Sequence, residues 1–161
     1  VSHNNAQLKG YPYALNEVAV LKHDNSSMIS IRVEVNGEFL ATYQADGLIV
    51  NTATGSTGYA LSVGGPIIAP GSDIIGLVPI APHSLTVRPL TLSADAEVSM
   101  EVKSRSDNFM LSIDGRSESA LVGTKILIKK APHTIKVLKR SEGSFFRTLR
   151  NKLMWGADTR E

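Results

Sequence analysis

Cysteine is absent from all 161 residues of the chain. That excludes a disulfide scaffold, a thiolate metal site and a cysteine nucleophile, and it fits a reducing compartment. No apolar run reaches membrane-spanning length, and the N-terminal Val1-Ser2-His3-Asn4-Asn5 has no signal-peptide core. The expectation is a cytoplasmic protein with no membrane partner. Histidine is sparse: His3, His23, His83 and His133 stand singly, without the paired spacing of a zinc site. His83 and His133 each follow a proline where a strand is expected to start, and both read as structural. Gly55-Ser56-Thr57-Gly58 is followed by no lysine, which excludes a P-loop, and its spacing is not that of a nucleophile elbow. Five prolines between Pro66 and Pro89 exclude long helices there.

What is present reads as one globular domain. Hydrophobic residues make up 42% and charged residues 20%, enough apolar material at this length for a real core. The net charge of +2 conceals an asymmetry. Residues 1–124 carry 7 Lys+Arg against 12 Asp+Glu, and residues 125–161 carry 10 against 3. Because the basic residues alternate with apolar ones, the tail reads as a segment docking on an acidic surface, not as a nucleic-acid arm. The opening residues, Val1 to Pro12, have little periodicity, and so abrupt a start suggests the second half of something longer.

Alternation governs Ile29, Ile31, Val33 and Val35, which face opposite to Ser30, Arg32 and Glu34. Asn36-Gly37 follows, then Glu38 to Tyr43, and Asn-Gly between alternating strands predicts a hairpin on a type I′ turn. Gly76–Ile80, Leu85–Arg88, Glu97–Lys103, Asn108–Ile113, Thr124–Lys129 and Thr134–Leu138 read as further strands. Many short strands with turn signals between them predict a two-sheet β-sandwich. At the end, Phe145, Phe146, Leu149, Leu153 and Met154 fall at helical spacing, opposite Arg147, Arg150 and Lys152, with Ser144 as a possible N-cap.

The central stretch is Asp46 to Pro66. Leu48-Ile49-Val50 reads as a buried strand, Tyr59–Val63 as a short helix, and the hydroxyl- and glycine-rich run between them as a loop offering N–H groups to a polar ligand. Gly64-Gly65-Pro66 ends the helix. Ala14 to Leu21 reads as a strand with Asn16 and Glu17 set inside it. Such a pair either has hydrogen-bond partners or sits at a strand end with solvent access, since burying a neutral polar group unpaired costs about 2–7 kcal/mol. Asp46-Gly47 and Asp114-Gly115 are turn signals; ordinary turn chemistry outweighs a ligand role for Asp114, and weighs less for Asp46, which directly precedes the hydroxyl-rich stretch. Tyr59 is either core or a ring for stacking on a planar ligand.

Taken in order, Leu15-Asn16-Glu17, Asp46 to Val50, Thr54-Gly55-Ser56-Thr57-Gly58-Tyr59 with Ser62 and Gly64-Gly65-Pro66, Pro82-His83-Ser84-Leu85, and Ile113-Asp114-Gly115-Arg116 resemble the NAD kinase family. These are the motifs of its C-terminal β-domain, and the tail from Phe145 to Gly156 resembles bacterial members. The resemblance implies a mainly β, two-sheet fold, with one short helix after the Thr54–Tyr59 loop and a C-terminal amphipathic helix. It implies an NAD-binding domain over residues 1–140, and a tail over 141–161 that packs on an N-terminal nucleotide-fold domain absent from this chain. The implied activity is transfer of the γ-phosphoryl group of ATP to the 2′-hydroxyl of the adenosine ribose of NAD, with Mg²⁺ or another divalent metal accompanying ATP. Asn16 and Glu17 then match residues approaching the ribose and adenine. Thr54, Thr57, Gly58, Tyr59 and Ser62 match the pocket around the adenine, and Asp46 an aspartate near the nicotinamide end. Asp114 and Gly115 match a motif close to the site. Bacterial members form homodimers or homotetramers through this domain, with neighbouring subunits contributing to the nicotinamide end.

Two departures are conservative: Ala53 stands where the family usually has proline, and Gly58 where it commonly has alanine. Ala53 implies a freer loop, and Gly58 little change on the pocket side. The third is an absence. Gly-Gly-Asp-Gly-Thr, which approaches the ATP phosphates and carries the expected base, occurs nowhere in the chain. The chain is therefore expected to be the substrate-binding half of the enzyme, inactive alone, with no catalytic base and no metal ligand of its own. The competing reading is a non-catalytic β-sandwich module for binding or oligomerisation.

Overall fold

The computed structural model describes residues 2–3, 11–23, 27–138 and 144–157. Strands β1 (Ser2–His3), β2 (Glu17–Leu21), β3 (Ile29–Val35), β4 (Glu38–Ala45) and β5 (Gly47–Thr52) lead into a 3₁₀ turn (Thr54–Thr57) and helix α1 (Tyr59–Ser62). Then come β6 (Ile74–Ile80), β7 (Leu90–Ser93), β8 (Val98–Lys103), β9 (Asn108–Ile113), β10 (Arg116–Leu121) and β11 (Lys125–Ile128), and last helix α2 (Phe145–Leu153). The strands form two antiparallel sheets, ordered β1-β11-β8-β3-β4 and β10-β9-β2-β5-β6-β7. This is the mainly β, two-sheet architecture expected, with the short helix following β5.

Residues 1–131 form one compact unit and residues 132–161 a second. The expected boundary between residues 140 and 141 lies outside the described residues, as does most of the lead-in before Tyr11.

The two sheets share one core. Ile29, Ile31 and Val33 of β3 and Val98, Met100 and Val102 of β8 pack with Val18, Val20, Leu48, Val50, Phe109 and Leu111 of the other sheet. Burying each such side chain contributes about 1.5–3 kcal/mol. The second sheet has a further layer on its outer face, where Ala19, Ile49 and Val78 pack under Ala60 of α1. That accounts for two sequence textures. β3 and β8 alternate because one face is wet, whereas β2, β5 and β6 are buried on both faces and read as continuous apolar runs.

The hairpin between β3 and β4 turns on Asn36 and Gly37, with φ of 53° and 81°, as a type I′ turn requires. A register shift between Val33 and Glu34 marks a bulge in it. Gly64, at φ 84°, ends α1 in the left-handed region as expected.

Several expectations need correction. Leu85–Arg88 is not a strand. Arg88 donates to the carbonyls of Leu85 and Val87, and the Ser84 and Thr86 hydroxyls bond each other at 2.9 Å. These local bonds between Pro82 and Pro89 replace a ladder, and the strand here is instead β7. Thr134–Leu138 is not a strand either, and its residues are exposed. Neither His83 nor His133 therefore starts a strand, although the His83 N–H donates to the Gln44 carbonyl at 2.8 Å. β10 was not anticipated, because Arg-Ser-Glu-Ser-Ala-Leu has the polar texture of an edge strand rather than an apolar alternation. Ser144 occupies the N-cap position of α2, but its side chain caps nothing. Its carbonyl accepts from the Thr148 N–H and hydroxyl at 3.0 and 3.1 Å.

Candidate functional site

β2 and β5 set the frame. Glu17 lies opposite Asn51 and Leu21 opposite Gly47, so Asn16-Glu17 and the loop after β5 fall at the same end of the sheet. The Thr52 N–H donates to the Asn16 carbonyl at 2.9 Å, and the Thr52 hydroxyl donates to the Leu15 carbonyl at 2.7 Å. The same Thr52 hydroxyl accepts from the Gly55 N–H at 3.2 Å, which curls the chain into the 3₁₀ turn. Gly55 is buried directly on the backbone of Asn16: a Cβ there would stand 2.1 Å from the Asn16 carbonyl oxygen. Gly58 faces the next residue, since its Cβ would lie 3.5 Å from Glu17 Oε2. The strand start and the loop are thus one packed unit, joined through two glycines.

The Asn16-Glu17 pair sits at a strand end with solvent access, and the hydrogen bonds there are made by its backbone. Both residues are partly buried, and the Asp114 carboxylate accepts from their N–H groups at 2.8 and 3.0 Å. Burial, and secondarily the charge of Asp114, push the Glu17 carboxyl above its ordinary 4.5.

The loop differs from the expected array of free N–H donors. Gly55 N–H bonds Thr52 Oγ1, and the N–H groups of Ser56, Gly58 and Leu61 bond the carbonyls of Ala53, Gly55 and Gly58. Those donors are turned inward. Ser56 is fully buried, and its hydroxyl donates to Ala53 at 2.7 Å while accepting from the Ile68 N–H at 3.0 Å. Thr54, Thr57, Gly58, Tyr59 and Ser62 remain exposed, with Ser62 Oγ bonded to the Tyr59 carbonyl at 2.7 Å. Tyr59 is 40% exposed, so its ring belongs to the surface, not to the core. Ala53 has φ −56°, already within the range proline enforces, so its backbone keeps the shape a proline would impose. At Gly58 a methyl would stand 3.2 Å from the Gly55 carbonyl oxygen and 3.5 Å from Glu17 Oε2.

Asp46 stands apart from this group. It sits at the opposite end of β5, paired with Lys22 at 2.8 Å. Six strand residues separate it from the loop, a distance of about 20 Å. A cavity of about 670 Å³ opens at that end, where Asp46, Gln44, Lys22, Lys103 and Arg105 contribute to the lining. Asp114 and Gly115, with φ of 47° and 77°, form the turn between β9 and β10 and lie at the Asn16-Glu17 end. Among the described residues no cluster of three or more His, Cys, Asp or Glu side chains is placed to hold a metal ion.

Sequence reasoning missed three contributors. Thr52 and Ser56 build the loop from within, and Arg116 donates to the carbonyls of Tyr11 and Tyr13 at 3.0 and 2.9 Å. Nothing in the hydroxyl-rich run separates Ser56, which is buried, from Thr54 and Thr57, which are not.

Comparison with known proteins gives a consistent result. The family model described as ATP-NAD kinase C-terminal domain matches residues 15–140. An NAD kinase of Bacteroides fragilis is 58% identical over 153 residues, covering 95% of this chain and 53% of that protein. An NAD kinase of Porphyromonas gingivalis is 50% identical over 148 residues, covering 92% and 51%. The chain spans about half the length of these relatives. Among solved structures, yeast NADH kinase complexed with NADH superposes with a TM-score of 0.83 at 28% identity, over 91% of this chain and 46% of that one. An NAD kinase from Archaeoglobus fulgidus in complex with ATP gives a TM-score of 0.67 at 34% identity, over 74% and 46%.

Proposed function

Because the chain belongs to the ATP-NAD kinase C-terminal domain family, we propose that it supplies the dinucleotide-binding half of an NAD kinase. The complete enzyme transfers the γ-phosphoryl group of ATP to the 2′-hydroxyl of the adenosine ribose of NAD, forming NADP. The observation that carries this reading is the packed unit of Asn16 and Glu17 against Gly55 and Gly58, with Tyr59 exposed beside it. A carboxamide offers a donor and an acceptor to ribose hydroxyls. The Glu17 carboxyl, pushed upward by burial, adds acceptor oxygens beside Gly58. Thr54, Thr57 and Ser62 present hydroxyls, and Tyr59 a ring face, to the adenine.

Asp46 serves the nicotinamide end. Its distance from Asn16-Glu17 fits that role in a homodimer or homotetramer, where one chain's Asp46 meets another chain's dinucleotide. Phosphoryl transfer depends on positioning and on neutralising charge. No Gly-Gly-Asp-Gly-Thr is present to approach the ATP phosphates, so the base and that half of the site belong to an N-terminal domain of the same protein. The divalent ion that accompanies ATP belongs with those phosphates, and no residue here is assigned to it. The tail over residues 141–161 packs on that domain, with Phe145, Phe146 and Leu149 at helical spacing as its contact face. No helix among the described residues is long and apolar enough to cross a membrane, and we place the enzyme in the cytoplasm.

Calorimetric titration with NAD and turnover assays test this reading. The full-length protein binds NAD and makes NADP from ATP and NAD with magnesium, and Asn16→Ala impairs NAD use severely. The 161-residue chain alone makes no NADP; measurable turnover by it would overturn the division of labour. A pure assembly module would bind neither NAD nor NADP.

A further inference from the structure

β2 is flanked by β5 on one side and β9 on the other, but the two ladders do not have the same length. Pairing with β5 reaches Glu17, whereas pairing with β9 stops at Val18 opposite Ile113, where β9 turns away. The N–H groups of residues 15–17 on that side thus pass beyond the ladder. A side chain takes its place: Asp114 Oδ2 accepts from the Leu15 N–H at 2.6 Å, and Oδ1 accepts from the Asn16 and Glu17 N–H groups at 2.8 and 3.0 Å. The Asp114 N–H in turn donates to the Glu17 carbonyl at 3.1 Å. Two residues on, the Arg116 guanidinium donates to the carbonyls of Tyr11 and Tyr13 and to that of Ile113.

We propose that Asp114 and Arg116 are positioning residues of the dinucleotide site, with the β9–β10 turn clipping the backbone of residues 11–17 so that Asn16 and Glu17 are held against Gly55 and Gly58. The functional half of this statement rests on the reading given above. Both Asp114 oxygens accept from backbone donors of residues 15–17, and through these bonds the carboxylate acts on Asn16 and Glu17. Aspartate suits the task because a carboxylate accepts at both oxygens. Asparagine would keep one acceptor and aim an N–H at a backbone N–H. The turn also explains the residue pair: Asp114 and Gly115 both take positive φ, which Asp-Gly tolerates, and this geometry sets the carboxylate back over β2. The opposite side of the segment is held independently by Thr52, so losing Asp114 frees one side of the strand end without unfolding the sandwich.

The test uses Asp114→Asn in the full-length protein. In the ligand-free state, amide hydrogen exchange at Leu15, Asn16 and Glu17 accelerates about ten- to a hundredfold, the worth of a charge-assisted hydrogen bond, while Val20 and Leu48 keep their protection. The KM for NAD rises about tenfold or more, and the KM for ATP stays within about twofold. Unchanged exchange at residues 15–17 overturns the clip. Faster exchange with both KM values unchanged overturns its link to the site. Should the variant fail to fold, the wild-type protein answers through scalar couplings across the hydrogen bonds, from the backbone ¹⁵N of residues 15–17 to ¹³Cγ of Asp114; their absence overturns the proposal. A wild-type protein that uses no NAD would sink the kinase reading, and the exchange and coupling results would still decide the clip.

Discussion

Two glycines three residues apart should respond oppositely to the same added methyl. At Gly55 a Cβ would stand 2.1, 2.5 and 2.7 Å from the carbonyl oxygen, carbonyl carbon and Cα of Asn16, where ordinary contact begins at 3.4 Å. All three are backbone atoms, and that backbone is pinned by Asp114 on one side and Thr52 on the other, so no rotamer change relieves the overlap. Overpacking of this kind costs roughly 3 kcal/mol, at the upper end of its usual range. Alanine also restricts the unfolded chain, which returns about 0.4–1 kcal/mol. The net loss for Gly55→Ala is about 2 kcal/mol, a fall in Tm of roughly 4–8 °C at this chain length. At Gly58 the nearest atoms lie at 3.2 and 3.5 Å, one of them the end of the flexible Glu17 side chain, and φ is −95°. The unfolded-state gain then offsets a displacement of a few tenths of an ångström, leaving Gly58→Ala within about 0.5 kcal/mol of wild type. Thermal unfolding of the two variants measures the difference, and NAD titration shows whether only Gly55→Ala shifts Asn16. Equal melting temperatures would refute the packing argument.

Glu17→Gln tests the electrostatics. The folded protein holds a proton on Glu17 at pH values where the unfolded chain has lost it, so wild-type stability falls as pH rises from 4.5 through the raised folded value. The glutamine variant should melt above wild type at neutral pH and lose that advantage below 4.5; parallel curves at every pH would contradict the assignment. Ser56→Ala leaves the buried Ile68 N–H without its acceptor and should cost about 1–3 kcal/mol in denaturant unfolding. A loss under about 0.5 kcal/mol would mean the loop does not depend on that bond. Asn16→Ala in the full-length enzyme should reduce kcat/KM for NAD severely while the protein melts normally, and unchanged kinetics would remove Asn16 from the site.

The features legible in the chain are those whose cause is local. Asn36-Gly37 announces its own turn because two adjacent residues must take positive φ. The alternation of β3 and the unbroken apolar run of β5 report one wet face and none. The ordered motifs from Asn16 to Arg116 carried the family resemblance. Local pattern failed where partners are remote or chemistry is polar: β10 is an edge strand without apolar periodicity, and Leu85–Arg88 satisfies its polar groups with its own side chains. The loop after β5 was legible in place but not in detail, since hydroxyls used inside and hydroxyls left outside look alike in sequence.

By itself, then, the sequence determined the two-sheet class, the β3–β4 hairpin and the family, and it named a set of candidate site residues. Tertiary structure alone decided how those residues divide. Asp46 and Thr54 are eight residues apart in the chain, yet the rigid length of β5 puts them at opposite ends of a sheet. Asp114 lies 98 residues from Asn16 and still accepts its N–H, because β2 and β9 are neighbours in the sheet and the turn throws the carboxylate back across the strand end. Strand rise sets the first relation and sheet order the second, and neither is visible until the ladders have formed.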